Sequence, residues 1–364
     1  MSIVTIERPT TAEAPQAKAL STYAHLSKLI KDENLLDKKV GFYVRRFIQI
    51  SILSLAAWAG VVLLQDNALV LLLAPVLGIL GAQYGFLAHE LGHKQVFESN
   101  KLNKWFALFT ANLLVGLSFG WWDKKKHSLH HANPNTEDKD PDIKLPIFAF
   151  TKEQYDGKKR PESFLTKYQG YLFPFLLLFT GFDLLKNSVQ SLIKPSSNLE
   201  HRYLELGLIA FRVLAPIFLM FWLFNPFVAA GFILIQMVTF GLFMGGAFAP
   251  NHKGMPIIPR GEKIDYFSRQ VLTSRDIKGN WFNDNIMGGL NYQIEHHLFP
   301  SMPRPNLRKA QKIVKEFCAT HNVPYAETSL LQSYGIVMQY LNKVGLKHSD
   351  PFQCPMVTQL RQVA

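Results

Sequence analysis

Cysteine is scarce: Cys318 and Cys354 are the only two in 364 residues, far apart and in no metal-ligand spacing. A disulfide framework and an iron–sulfur cluster are therefore not expected, and both read as reduced thiols. Charge is sparse as well. Charged residues make up 18% of the chain, where soluble proteins average about 25%, and 48% of the residues, 28 phenylalanines among them, are hydrophobic. Acidic residues fall short of basic ones, leaving a formal net charge of +12. The Lys and Arg residues build no nucleic-acid-binding module, so no nucleic acid is expected as a partner. They flank apolar segments, as the positive-inside bias of a membrane protein requires. Met1 to Leu20 has no apolar core of a signal peptide and reads as a disordered lead-in. No internal repeat, low-complexity tract or second domain is apparent.

What is present is long apolar sequence. Phe47 to Leu64 and Ala68 to Ala88 are separated only by Gln65-Asp66-Asn67, and Leu204 to Phe224 and Phe227 to Pro250 only by Asn225-Pro226. Each run holds enough residues, at ~1.5 Å rise, to cross a ~30 Å hydrocarbon core. The reading is two transmembrane hairpins, with spans about 47–64, 68–88, 204–224 and 227–250. Of 39 Lys and Arg residues only Arg212 falls within them. Neither turn carries a positive charge, so both hairpins start and finish on the cytoplasmic side. Phe106 to Trp122 and Tyr171 to Leu185 are shorter and read as interfacial or re-entrant helices. Were both to span, the second histidine window would move to the far face. The fold expected is an all-α integral membrane protein of four spans with a cytoplasmic helical cap, 89–203 and 251–364. Residues 1–46 form an N-terminal cytoplasmic segment and 47–364 a single domain. Leu307 to Cys318 reads as an amphipathic helix with Arg308, Lys309, Lys312, Lys315 and Glu316 on its wet face.

Seven of the twelve histidines crowd into three five-residue windows: His89-Glu-Leu-Gly-His93, His127-Ser-Leu-His130-His131 and Gln293-Ile-Glu-His296-His297. Spacings of three or four residues put side chains on one face of a helical turn, and neutral imidazole is the commonest protein ligand for several transition metals. With His252 just past Pro250, eight histidines reach one face. That exceeds what one tetrahedral zinc takes and suits two metals with open positions, iron being the natural choice for oxygen chemistry. His25, His201, His321 and His348 read as ordinary polar residues.

These windows, in this order around paired spans, resemble the membrane fatty acid desaturase family; the similarity runs from about Phe47 to Phe299. The resemblance implies a non-haem di-iron centre, with dioxygen as co-substrate, that inserts a double bond into the acyl chain of an acyl-CoA or acyl-lipid. Carried over, His89, His93, His127, His130, His131, His296 and His297 would be iron ligands, with His252 matching the family's extra histidine. Gln293 stands where many relatives have histidine and would ligate or support a ligand; this variant is similar to the front-end desaturases. Many of those carry a fused cytochrome b5-like domain, which is not expected here, so electrons would come from a separate ferredoxin or cytochrome b5 with its reductase. The membrane expected is a bacterial inner membrane rather than endoplasmic reticulum.

Asp138, Asp142, Glu90 and Glu295 are available to accept the other ring N–H of the histidines. Lys124, Lys125 and Lys126 suit an acyl-CoA or lipid phosphate, or are simply a positive-inside cluster. Trp121, Trp122, Trp281 and Phe282 suit the entrance of an acyl tunnel, or interfacial anchoring for the first two. Arg212 near the end of a span permits snorkelling. The alternative activity is a di-iron hydroxylase of alkane, carotenoid or sterol type, which also begins with hydrogen abstraction. A metal transporter needs ionisable residues deep in the spans, and these spans hold almost none.

Overall fold

The computed structural model describes residues 15–65, 67–159, 161–194 and 198–347. Asp66, His348, Cys354 and most of the expected lead-in lie outside the described residues. Within them the lead-in is already helical from Pro15, where a helix to Asp32 begins.

Four helices are long and apolar enough to cross a bilayer: Val40–Leu63, Ala68–Gly92, Arg202–Leu223 and Pro226–His252. Their outward surfaces carry large exposed apolar side chains, among them Leu55, Leu63, Phe211, Trp222 and Phe227. In water that belt would be an aggregation surface; against lipid it is the expected solvent-facing side. One apolar cluster joins Ala57, Val61, Val70 and Ala74 of the first hairpin to Met220, Phe224, Ala229 and Phe232 of the second. Both hairpin turns therefore lie at the same end of the bundle, and the histidine-bearing ends lie together at the other. The second and fourth spans approach closely at Gly78, where a Cβ would meet the Gln236 carbonyl at 2.7 Å. Small residues admit such backbone contact inside a membrane.

Two further apolar helix pairs are sharply bent. Asn100–Val115 and Phe119–Ala132 meet at a bend of 120°, and Gln169–Leu177 and Thr180–Ile193 at 75°. The first pair breaks because Gly116 adopts φ +95°, a left-handed conformation that glycine takes without strain. Arg212 answers the carbonyls left free there: its Nε donates to Leu114 O at 2.9 Å. Arg212 therefore fixes the tip of a re-entrant segment, and broken backbone at this depth is tolerated only when such a partner is supplied.

The cap is built on the amphipathic helix Arg304–Thr320, whose Leu307, Ala310, Val314 and Phe317 are buried. They pack with Leu26 and Ile30 of the N-terminal helix and with Phe267 and Val271. Among the described residues the all-helical reading meets small exceptions, a parallel pair joining Asp276–Ile277 to Glu327–Thr328 and an isolated bridge between Thr136 and Ile258. Arg275 clamps the cap to the fourth span, donating to Lys253 O at 3.0 Å and to Ser333 Oγ at 2.9 Å.

Candidate metal centre

Four segments bring the histidines together. His89 closes the second span, and the His93 N–H still bonds the His89 carbonyl at 3.0 Å, so both rings project from one turn. His127, His130 and His131 come from the returning arm of the first re-entrant pair, His252 from the last turn of the fourth span, and Gln293, His296 and His297 from the helix Gln293–Leu298. All eight rings are in contact distance of another histidine.

They divide into two groups. In the first, the ring nitrogens of His89, His93, His131 and His296 lie within 4.8 Å of one another, and His127 Nε2 directly faces His93 Nε2. In the second, His130, His252 and His297 meet the same limit, with His130 Nε2 and His252 Nε2 3.3 Å apart. The groups touch where His131 stacks on His297, centroids 4.2 Å apart.

Three of these rings have their outer nitrogen occupied. His130 Nδ1 donates to Asp140 at 3.0 Å, His252 Nδ1 to the Thr273 carbonyl at 3.0 Å, and His297 Nδ1 to Gln270 Oε1 at 2.9 Å. A donating Nδ1–H fixes the tautomer and turns the Nε2 lone pair inward. Nε2 of His89, His296 and His297 is buried with no protein partner. An unpaired buried acceptor is costly, and several lone pairs aimed at one another repel. Divalent cations between them would offset both, so the donor set fits metal. Gln293 stands at the edge of the second group: its Oε1 accepts from Asn251 at 3.0 Å and its Nε2 faces His252 Nε2 at 2.9 Å.

Burial pushes His296 down to about 3, and burial with the neighbouring imidazoles holds His297 well below the usual imidazole range. These rings are neutral at pH 7 and ready to ligate. The sign for stability follows: below an unfolded value of about 6.5 the unfolded chain binds more protons than the folded one. Protein stripped of metal with chelator is thus expected to lose thermal stability steadily as pH falls from about 6.5, checked by melting curves across that range.

The expected acceptors are largely engaged elsewhere. Asp142 comes within 3.7 Å of His130; although burial pushes its carboxyl up, Lys126, His130 and Lys253 hold it below the usual range. Asp138 is exposed and paired with Arg260. Glu90 is buried against Arg304. Glu295 shares the Tyr325 hydroxyl with Asp276, at 2.9 and 2.6 Å, and burial beside Asp276 raises its carboxyl strongly. The acceptors actually used, Asp140, Gln270 and the Thr273 carbonyl, were not singled out from sequence. Only Asp140 carried a signal, as one of three aspartates after the second window.

An apolar cavity of about 250 Å³ opens from the histidines between the second and fourth spans and both re-entrant pairs. His89, His127, His130, His131 and His252 form part of its wall, and Ala111, Val115, Leu184, Met244 and Phe248 line its apolar part. Of the side chains expected at a substrate, Trp122 and Lys126 line it, and Trp122 stacks on His127 at 4.0 Å. Trp121 does not; it packs against the cluster of Leu192, Leu199 and Ile209. Lys124 is exposed, and the Lys125 side chain lies outside the described residues. Trp281 is 80% exposed and away from the cavity, because it opens a short surface helix that turns outward. Lys253 was missed: it borders the cavity, donating to the Asp142 carbonyl at 2.7 Å.

Comparison with known proteins agrees with this geometry. A sequence model of the fatty acid desaturase family matches residues 66–329. The chain is similar to the Delta(6)-fatty-acid desaturase fat-3 of Caenorhabditis elegans, with 33% identity over 91% of this chain and 76% of that protein. It is also similar to an acyl-lipid (9-3)-desaturase of Physcomitrium patens, with 31% identity over 91% of this chain. A fatty acid desaturase 2-like protein of Mus musculus, FADS2B, is 29% identical over 93% of this chain and 69% of its own length. The chain spans 64% of the moss protein's length. By the extent of these matches, the chain belongs to the fatty acid desaturase family.

Proposed function

We propose that the chain is an oxygen-dependent fatty acyl desaturase working through a di-iron centre at the cytoplasmic membrane face. The observation that carries this reading is an apolar cavity with five histidines in its wall, which sets an unactivated hydrocarbon beside a metal-binding donor set. His89, His93, His127, His131 and His296 would hold one iron; His130, His252, His297 and Gln293 would hold the other. Gln293, whose amide faces His252 Nε2 at 2.9 Å, would offer its oxygen to that iron or hold a ligand in place. The iron pair supplies the oxidising power that no side chain has.

The rest falls to the protein. Removing two hydrogens from adjacent carbons while one dioxygen becomes two waters takes two further electrons and two protons, for which a separate ferredoxin or cytochrome b5 is the donor. Trp122 walls the cavity over His127 and helps keep water from the reacting carbons. The apolar lining holds the chain in register against the histidines. Lys126 and Lys253, on either side of Asp142, would face the polar end of the substrate. A polar end so close to the histidines suits insertion on the carboxyl side of an existing double bond, which fits the Delta(6) name of the worm relative.

The test is fatty-acid profiling of a desaturase-deficient host expressing the chain. A new double bond on the carboxyl side of an existing one is expected, absent with His130→Ala. Hydroxylated acids without new double bonds would replace this reading with a hydroxylase on the same scaffold.

A further inference from the structure

A second cavity, of about 310 Å³, shares no lining residue with the first. Four arginines from two distant segments line it: Arg45 and Arg46 in the first turns of the first span, Arg304 and Arg308 in the first turns of the cap helix. One carboxylate, Asp284, joins them. The Arg304 charge is matched by Glu90, outside the cavity, in a two-pronged pair at 2.6 and 2.5 Å. Arg46 donates only to a neutral group, Gln83 Oε1 at 2.9 Å. Arg45 and Arg308 form no ion pair among the described residues. Arg45 and Arg308, with no ion pair among the described residues, and Arg46, which shares the Glu90 charge with Arg304, thus face one carboxylate in a concave site, an arrangement that selects a phosphate-bearing anion.

Its surroundings say which. Arg45, Gln49 and Ile52 share one face of the first span, and below the cavity that face continues in exposed Ile52 and Leu53. On the other lip Trp281 and Phe282 are 80% and 55% exposed, just before cavity residues Asp284 and Asn285. Exposed aromatics of this kind sit at headgroup level. A soluble anion would use only the arginines, whereas a phospholipid would also cover the apolar gutter beneath them.

We propose that this cavity binds the phosphate of an anionic phospholipid, with its acyl chains along Ile52 and Leu53. The site rests on the membrane orientation alone, so its failure leaves the catalytic reading standing.

The test uses the full chain in nanodiscs of phosphatidylcholine alone or with equimolar phosphatidylglycerol, and native mass spectrometry counts retained lipid after extraction into detergent. Phosphatidylglycerol is expected to be retained in preference to phosphatidylcholine. The paired change Arg45→Gln with Arg308→Gln should weaken that retention about tenfold or more, since each cation near an anionic surface counts for about a factor of five. Lys309→Gln with Lys312→Gln removes the same charge from exposed positions outside the cavity and should leave retention intact. Melting curves in phosphatidylcholine should show both variants folded. Equal loss in both pairs would mean diffuse attraction and overturn the proposal. So would equal retention of the two lipids, or inorganic phosphate stabilising the detergent-solubilised protein through the arginines while no lipid is retained.

Discussion

Replacing His297 with alanine is expected to lower bound iron from two per chain to about one and to cut desaturated product by about a hundredfold or more. Mutating an outer hydrogen-bond partner of a ligand typically costs 10- to 100-fold, and removing the ligand itself exceeds that. Among the described residues, the second histidine group has only His130, His252 and His297 as ring donors within reach of one another. Loss of one leaves two imidazoles and an amide, too few to hold ferrous iron against water. His130→Ala should behave alike, because His130 belongs to the same group and carries the Asp140 bond. Gln270→Ala, which frees the His297 ring without deleting it, should fall between these and the unaltered protein. Iron content and product are read on protein whose melting curve shows it folded. A fully active His297→Ala protein would remove the second group from the mechanism.

The second large effect concerns stability. Glu90 and the Arg304 side chain are 3% and 9% exposed. Glu90 follows His89 on the second span, and Arg304 opens the cap helix with its N–H on the Tyr43 hydroxyl at 2.9 Å. Membrane bundle and cap are thus joined through one buried ion pair. Glu90→Ala is expected to destabilise the protein by about 3–5 kcal/mol, because the guanidinium stays buried without its carboxylate. The double change Glu90→Leu with Arg304→Met should recover most of that loss, since apolar pairs of similar volume replace buried ion pairs at little cost. Melting temperatures in one detergent test both. If the double variant is as unstable as the single one, the cause is packing beside Phe42 and Tyr43 rather than an unpaired charge.

Much of this was legible in the chain because the physical constraints were local. A bilayer demands long apolar runs, and a shared metal demands several ligands on one helical turn, so spans and histidine windows stood out. The stretches 106–122 and 171–185, read as non-spanning, fall in helix pairs bent by 120° and 75°. The partners of the rings were not legible. Glu90 and Glu295 lie inside the histidine windows, yet adjacent residues on a helix point about 100° apart. Glu90 consequently meets Arg304 and Glu295 meets Tyr325, while His130 turns to Asp140 ten residues away. A backbone acceptor such as the Thr273 carbonyl leaves no trace in residue identity. Trp281 misled for a related reason: aromatic character marks a membrane interface as readily as a tunnel wall, and at 80% exposure Trp281 does not line the cavity.

The central claim is two metal sites of different composition, and counting iron tests it most directly. The protein, purified and stripped with chelator, is reloaded anaerobically with ferrous iron and with zinc excluded, because nitrogen-rich sites prefer zinc. The account predicts two irons per folded chain and about one in His297→Ala, whose group has the fewer ring donors. A single iron in the unaltered protein, or two retained in His297→Ala, would contradict it.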